Sequence, residues 1–213
     1  MKFCVIGLGR LGYQVATTLA DHGMEVLAID SNESIIASIR DKVTQAICMR
    51  VTDENSLRTI GIDEMDTVIV AMGENFAQSV LITALLKKKL NVPQVIARAI
   101  DEIHKDILQL VGADQYLLPE REVGIRIAEN LSSPFVDLIH LDDTFSICQV
   151  QVPDYLIGST IQEADFFGNF GIKCIGVKHN GTIIDTEPEY VITGQDKLIL
   201  SGKNQNLERF AKQ

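Results

Sequence analysis

Six residues near the start of the chain, Gly7-Leu8-Gly9-Arg10-Leu11-Gly12, have the types and spacing to hold a phosphate. In a G-x-G-x-x-G pattern the first glycine makes a tight turn and the second lets phosphate oxygens approach the backbone. The third lets a helix pack closely on a sheet. Alone the pattern is weak, because glycine-rich turns arise by chance. Here its context is full: the apolar run KFCVI (2–6) precedes it, a helical pattern follows, and a second run, EVLAI (25–29), ends at Asp30. A carboxylate there accepts hydrogen bonds from ribose hydroxyls, and the helix N-terminus offers free N–H groups and a positive dipole end to the anion. Asp30 would repel a 2′-phosphate, which disfavours NADP. It leaves NAD, ATP, ADP and AMP undistinguished, since all present the same adenosine ribose.

Other residues with chemistry to offer are weighed against plainer accounts. Arg10 sits inside the glycine loop, where a guanidinium can bind a phosphate bidentately, or it is a solvated surface arginine. Arg98 and Glu120 end the fifth apolar run and follow the sixth, on the ligand edge of a doubly wound sheet. For Glu120 the simpler account is a first-turn glutamate interacting with its helix dipole. Lys87-Lys88-Lys89 reads as a solvated helix C-terminus. Hydride transfer needs a proton donor or acceptor beside the nicotinamide. None of the four tyrosines has a lysine four residues on, and neither GxxxxGK[ST] nor HExxH occurs. His22, His104, His140 and His179 are scattered, so no histidine metal site is expected. Cys4, Cys48, Cys148 and Cys174 lie far apart in apolar runs and read as small buried hydrophobes. A binding regulator is favoured over an enzyme. An NAD-dependent oxidoreductase and an orphan nucleotide sensor are the alternatives.

The elements that must position these residues follow from periodicity. Strands are expected at 2–6, 25–29, 45–49, 67–71, 94–98 and 115–118, with helices at 11–22, 33–40, 54–59, 75–89 and 102–111. Strand–helix alternation at this spacing implies βαβ units, and runs apolar at every residue imply strands covered on both faces. The fold class is therefore α/β, a doubly wound parallel Rossmann sheet, with Pro93 and Pro119 in loops. Residues 120–131 form one more helix, with Val123, Ile127 and Leu131 along one face, ended by Ser132-Ser133-Pro134. An apolar helix there must pack against something, its own sheet or another subunit. Residues 1–134 form the nucleotide-binding domain and 135–213 a small α+β domain. The second domain has strands at 144–152, 172–177, 182–185 and 196–201, a short helix at 159–167 and a helical tail at 204–212. His179-Asn180-Gly181 marks a hairpin.

The balance of 19 Lys+Arg against 29 Asp+Glu is acidic and even: 18 acids and 13 bases before residue 135, 11 and 6 from there on. An acidic surface repels nucleic acid and anionic lipid, leaving room for a local basic site for one small anion. MKFCVI leads straight into Gly7, which leaves no room for a signal peptide, and no apolar run is long enough to span a bilayer. A cytoplasmic protein is expected.

Several motifs in order resemble the regulator-of-potassium-conductance (RCK, or KTN) family: GLGRLG, LAID (27–30), VTDEN (51–55), AMGEN (71–75), GAD (112–114) and PERE (119–122). GIKCIGVKHNG (171–181) and GQDKLILSG (194–202) are similar to its C-terminal domain. The likeness is closest to the free-standing Trk/Ktr potassium-uptake subunits. It implies a non-catalytic gating subunit that binds ATP, ADP or NAD(H). Such subunits dimerise through a crossover helix, here 120–131, and assemble as a ring, often an octamer, beneath a membrane-embedded potassium channel or transporter subunit. Within that resemblance Arg10 matches an arginine at the terminal phosphate and Asp30, with Ser31 beside it, the ribose position. Leu11 falls in the loop, while Val51, Thr52, Met72 and Gly73 match positions around the adenine. Arg98 matches a basic position near the phosphates, and Glu120 an acid that helps hold a divalent cation, Mg or Ca, at the dimer interface. Arg50 departs from the usual Asp or Asn. Phe167 stands where many members carry arginine near a cyclic di-AMP site, so little affinity for that ligand is expected. Phe166-Phe167 is an aromatic pair in a domain small enough that one ring is expected at a contact between copies.

Overall fold

The computed structural model describes residues 1–73, 75–132 and 135–212. Glu74, the helix-stop residues Ser133 and Pro134, the expected boundary beside them, and Gln213 lie outside the described residues. The chain divides into two compact units, Met1–Glu120 and Arg121–Gln213.

In the first unit the strands are β1 (Lys2–Ile6), β2 (Glu25–Asp30), β3 (Gln45–Cys48), β4 (Thr67–Val70), β5 (Gln94–Arg98) and β6 (Gln115–Leu117). Among the described residues they form one sheet in the order β3-β2-β1-β4-β5-β6, every pairing parallel. The order reverses between β1 and β4, and at such a point the carboxyl ends of the strands open a crevice. Alternate residues feed two cores. Cys4, Ile6, Val68 and Val70 pack on one face, and Val5, Val26, Ala28 and Ile69 on the other. That is why the strands read as continuous apolar runs.

The helices are α1 (Arg10–Asp21), α2 (Glu33–Ile39), α3 (Glu54–Thr59), α4 (Phe76–Lys88), α5 (Glu102–Val111) and α6 (Pro119–Ser132). Asn32, Asp53, Asn75 and Asp101 cap α2 to α5 by accepting a backbone N–H. Helix α1 differs: its N-cap is Gly9, with no side-chain cap, so its first N–H groups stay open to a ligand. Pro119, expected in a loop, instead opens α6, because proline's fixed φ and missing N–H suit the first helical position. Helix α6 begins in the first unit and continues into the second. None of its residues is buried, and Val123, Ile125, Ile127 and Leu131 are all exposed. Among the described residues no helix is long and apolar enough to cross a membrane.

The second unit is an antiparallel sheet with short helices. Strands β7 (Phe135–His140), β8 (Phe145–Gln151), β9 (Ile172–His179), β10 (Thr182–Ile184) and β11 (Lys197–Lys203) take the order β10-β9-β11-β8-β7. Strand β7 escaped the sequence reading. It is an edge strand with a register irregularity after Phe135, so its apolar residues do not alternate cleanly. The single helix expected at 159–167 is two, α7 (Ile161–Ala164) and α8 (Phe166–Phe170), broken at Asp165, whose φ is 36°. Helix α9 (Asn204–Ala211) closes the core, with Phe170 set edge-on to Phe210. Asn180 and Gly181, with φ of 49° and 86°, make the hairpin turn between β9 and β10. Cys4 and Cys148 are buried as expected. Cys48 is exposed, because β3 is an edge strand ending there.

Candidate functional site

The glycine loop and Asp30 form one hydrogen-bonded unit. The Leu8 N–H donates to Asp30 Oδ2 at 2.6 Å and the Asn32 N–H to Oδ1 at 2.8 Å, while the Gly7 N–H donates to the Ile29 carbonyl at 2.8 Å. Asp30 thus ties the turn after β1 to the end of β2 and keeps lone pairs on both oxygens. Gly7 has φ of 90°, and a Cβ there would lie 2.9 Å from Met72 Cγ. A Cβ on Gly12 would overlap the Gly7 carbonyl oxygen, so Gly12 is required for α1 to approach the sheet. Around Gly9 a Cβ would meet nothing within 4 Å. Packing therefore does not demand Gly9, and the residue leaves clear space in front of the uncapped N-terminus of α1. A phosphate fits that arrangement.

Arg10 is exposed and makes no hydrogen bond or ion pair among the described residues. Leu11 is half-buried in the first turn of α1, and Ser31 is exposed just past Asp30, its carbonyl 3.7 Å from Cys48 Sγ. Val51 is buried, and its carbonyl accepts from Gln78 Nε2 at 2.5 Å, joining the loop after β3 to α4. Thr52 is exposed beside Asp53, whose carboxyl caps α3. The Ser56 N–H bound to it holds Asp53 below the usual carboxylate range. A shallow depression of about 350 Å³ lies there, lined by Arg50, Thr52, Asn75, Ala77, Gln78 and Leu81. Of the expected contacts only Thr52 reaches it. Asn75, within the AMGEN motif, and Gln78 are not among the contacts expected from the sequence.

Met72, Gly73, Arg98 and Glu120 come together at the next part of the edge. The Arg98 guanidinium lies across Gly73 so closely that any side chain at 73 would overlap Nη1. Its Nη2 bonds Glu120 Oε1. Among the described residues no three of His, Cys, Asp or Glu gather to hold a metal ion. Glu120 is one carboxylate already facing an arginine, so a divalent cation on it needs further oxygens from a bound phosphate or another chain.

Three histidines read as scattered do have partners, and for His140 it is Ser146 Oγ, 2.8 Å from Nδ1. His104 in α5 is buried, accepts the Ile100 N–H at Nδ1 (3.3 Å), stacks obliquely on Phe76 and leaves Nε2 without a partner. Burial pushes its pKa down, against a smaller upward pull from Asp101. In the second unit Asp196 is fully buried and takes hydrogen bonds from the Thr193 N–H (2.8 Å) and the Tyr190 hydroxyl (3.0 Å), with His179 Nδ1 at 2.6 Å. Burial alone would raise the Asp196 pKa, but these bonds, Thr193 N–H foremost, outweigh it and hold the carboxyl below its ordinary range. Nothing in the spacing of 179, 190, 193 and 196 announces this cluster.

Residues 3–119 match the TrkA-N domain and residues 148–213 the TrkA-C domain. Ktr system potassium uptake protein A of Bacillus subtilis (strain 168) is 35% identical over 211 residues, covering 98% of this chain and 95% of that one. The crystal structure of the GsuK RCK domain shares the fold over 100% of this chain, with TM-score 0.70 and 18% identity; this chain spans 48% of that longer one. The crystal structure of GsuK bound to ADP matches 61% of this chain and 33% of its own at 28% identity and TM-score 0.52.

Proposed function

This chain belongs to the TrkA-N and TrkA-C domain family, and from that premise we propose that it is the nucleotide-reading regulatory subunit of a Trk/Ktr-type potassium uptake system. The observation that carries the reading is the sheet edge. There an uncapped helix N-terminus, clear space at Gly9, and Asp30 with lone pairs to spare stand next to Arg98 and Glu120 at the start of α6. Phosphate meets the open N–H groups of α1, and the ribose hydroxyls donate to Asp30. ADP bound to a relative of this fold and Ktr uptake proteins among the sequence relatives support an adenine nucleotide and a potassium-transporting membrane partner.

The mechanism is a population shift. ATP and ADP bind the same adenosine pocket and differ at the terminal phosphate, where Arg10 and Glu120 act, so only that difference can bias one dimer geometry over another. Glu120 would hold a divalent cation together with the oxygens of a bound phosphate, and the cation's charge would there favour the triphosphate. The exposed apolar residues of α6 are covered by a second copy, dimers close into a ring, and the ring sits on the cytoplasmic side of its membrane partner. Phe167, 67% exposed beside buried Phe166, lies in a contact between second units with little affinity for cyclic di-AMP. The protein binds and signals without catalysing hydride transfer.

Native mass spectrometry of the purified protein tests this in one experiment, reading oligomer mass and co-purified nucleotide together. An even-numbered assembly carrying ADP, ATP or NAD(H) is expected. A monomer with no nucleotide, or NADH oxidation at an enzymatic rate with any of a broad panel of carbonyl compounds, overturns the assignment.

A further inference from the structure

Arg98 is held more closely than a surface ion pair requires. Its guanidinium lies across Gly73, and its Nε is buried with no hydrogen-bond partner among the described residues. The Arg98 side chain is 23% exposed and its partner Glu120 is 68% exposed, so the acid end of the pair stands in water and the cationic end is largely shielded from it. Met72, next to Gly73, packs against Gly7, which places the guanidinium one residue along the edge from the glycine loop. An arginine with one donor unmet and a solvent-screened partner gains by moving to a stronger anion nearby.

We infer that Arg98 is a two-position arm, on Glu120 as seen here and on the terminal phosphate of a nucleoside di- or triphosphate when one is bound, so that the ligand releases Glu120. This rests on the adenine-nucleotide reading of the edge. A terminal phosphate carries more charge than a carboxylate and three oxygens, enough to take Nε and an Nη together in the planar geometry of a guanidinium. The exchange matters because Glu120 is the second residue of α6, the helix that begins in the first unit and continues into the second. Loss of the Arg98 bond leaves Glu120 available for other partners. NAD has no terminal phosphate to offer, so it leaves Arg98 on Glu120 and does not deliver the same signal.

The test is calorimetry on the full chain in EDTA with ATP, ADP and NAD, for wild type, Arg98→Met, Glu120→Gln and the double variant. EDTA removes any cation bridge, so Glu120 is read only through Arg98. Arg98→Met keeps the aliphatic stem over Gly73 and is expected to weaken ATP and ADP about tenfold or more. Glu120→Gln removes the competitor and is expected to tighten both about threefold or more, with no change for NAD. In the Arg98→Met background, Glu120→Gln is expected to do nothing, since the two effects share one contact. Additive effects, or a Glu120→Gln protein that binds ATP and ADP no tighter than wild type, overturn the exchange. Failure of wild type to bind either nucleotide sinks the reading of the edge as well.

Discussion

Asp30 and Asp196 are both carboxylates gripped by backbone N–H groups, one in each unit, and they are gripped for different ends. Asp30 is half-buried at the carboxyl edge of a parallel sheet, takes two backbone N–H groups, and keeps open lone pairs toward solvent. Asp196 is fully buried behind a hairpin, with Thr193, Tyr190 and His179 around it. A carboxylate with capacity to spare on an open edge can serve a ligand. One whose capacity is consumed inside the protein holds a fold together. The same residue type thus stands open at an edge in one unit and closed inside the other, and the contrast can be broken or sharpened by experiment.

The largest effect is expected at Asp196. Asp196→Ala leaves Tyr190, His179 and the Thr193 N–H without their acceptor and should destabilise the second unit by about 3–5 kcal/mol. Urea unfolding monitored by hydrogen exchange in β9 and β11 reads it, and nucleotide affinity at the first unit should not change. A loss below about 1 kcal/mol would remove Asp196 from the structural role. Next comes Gly12→Ala, which forces a methyl into the Gly7 carbonyl and should cost the first unit about 2–4 kcal/mol, seen as a lower unfolding midpoint with the second unit unaffected. Asp30→Ala should lower affinity for ATP, ADP and NAD by about 1–3 kcal/mol through lost ribose bonds. Calorimetry checks it, and tight NADP binding by wild type would contradict the role given to Asp30.

The smallest effect is an acid response that the two units should not share. His104 has a folded pKa below the ordinary 6.5 because burial disfavours its charged form. The unfolded state then binds more protons, so stability is fully present above pH 6.5 and is lost as pH falls through the folded pKa. Asp196 is depressed below 3.8, so its contribution persists until pH falls through that lower value. Between pH 7 and 5 the first unit should weaken while the second holds, and His104→Phe should flatten the slope of the first. Equal slopes in both units would show that His104 titrates as it does in the unfolded chain.

Much of the first unit was legible in the sequence because its signals are local. Six apolar runs covered on both faces and glycines forced by a turn or a close approach declare themselves within a few residues. The second unit was read less well. Strand β7 is an irregular edge, and the break at Asp165 needs a left-handed backbone that no periodicity encodes.

What the sequence determined by itself is the glycine turn before α1, the carboxylate at the end of β2, the order of the parallel sheet's elements and the hairpin at Asn180-Gly181, because each is written in neighbours along the chain. Only the tertiary structure decided that Arg98 lies on Gly73 and reaches Glu120, that Gln78 fixes Val51, and that Asp196 gathers Tyr190 and His179. Arg98 and Glu120 stand 22 residues apart and Gln78 and Val51 27, and the folding of the first unit is what makes them meet. A side chain's partner across such a gap depends on the register of strands and the length of helices, which a residue's own neighbours in sequence do not specify.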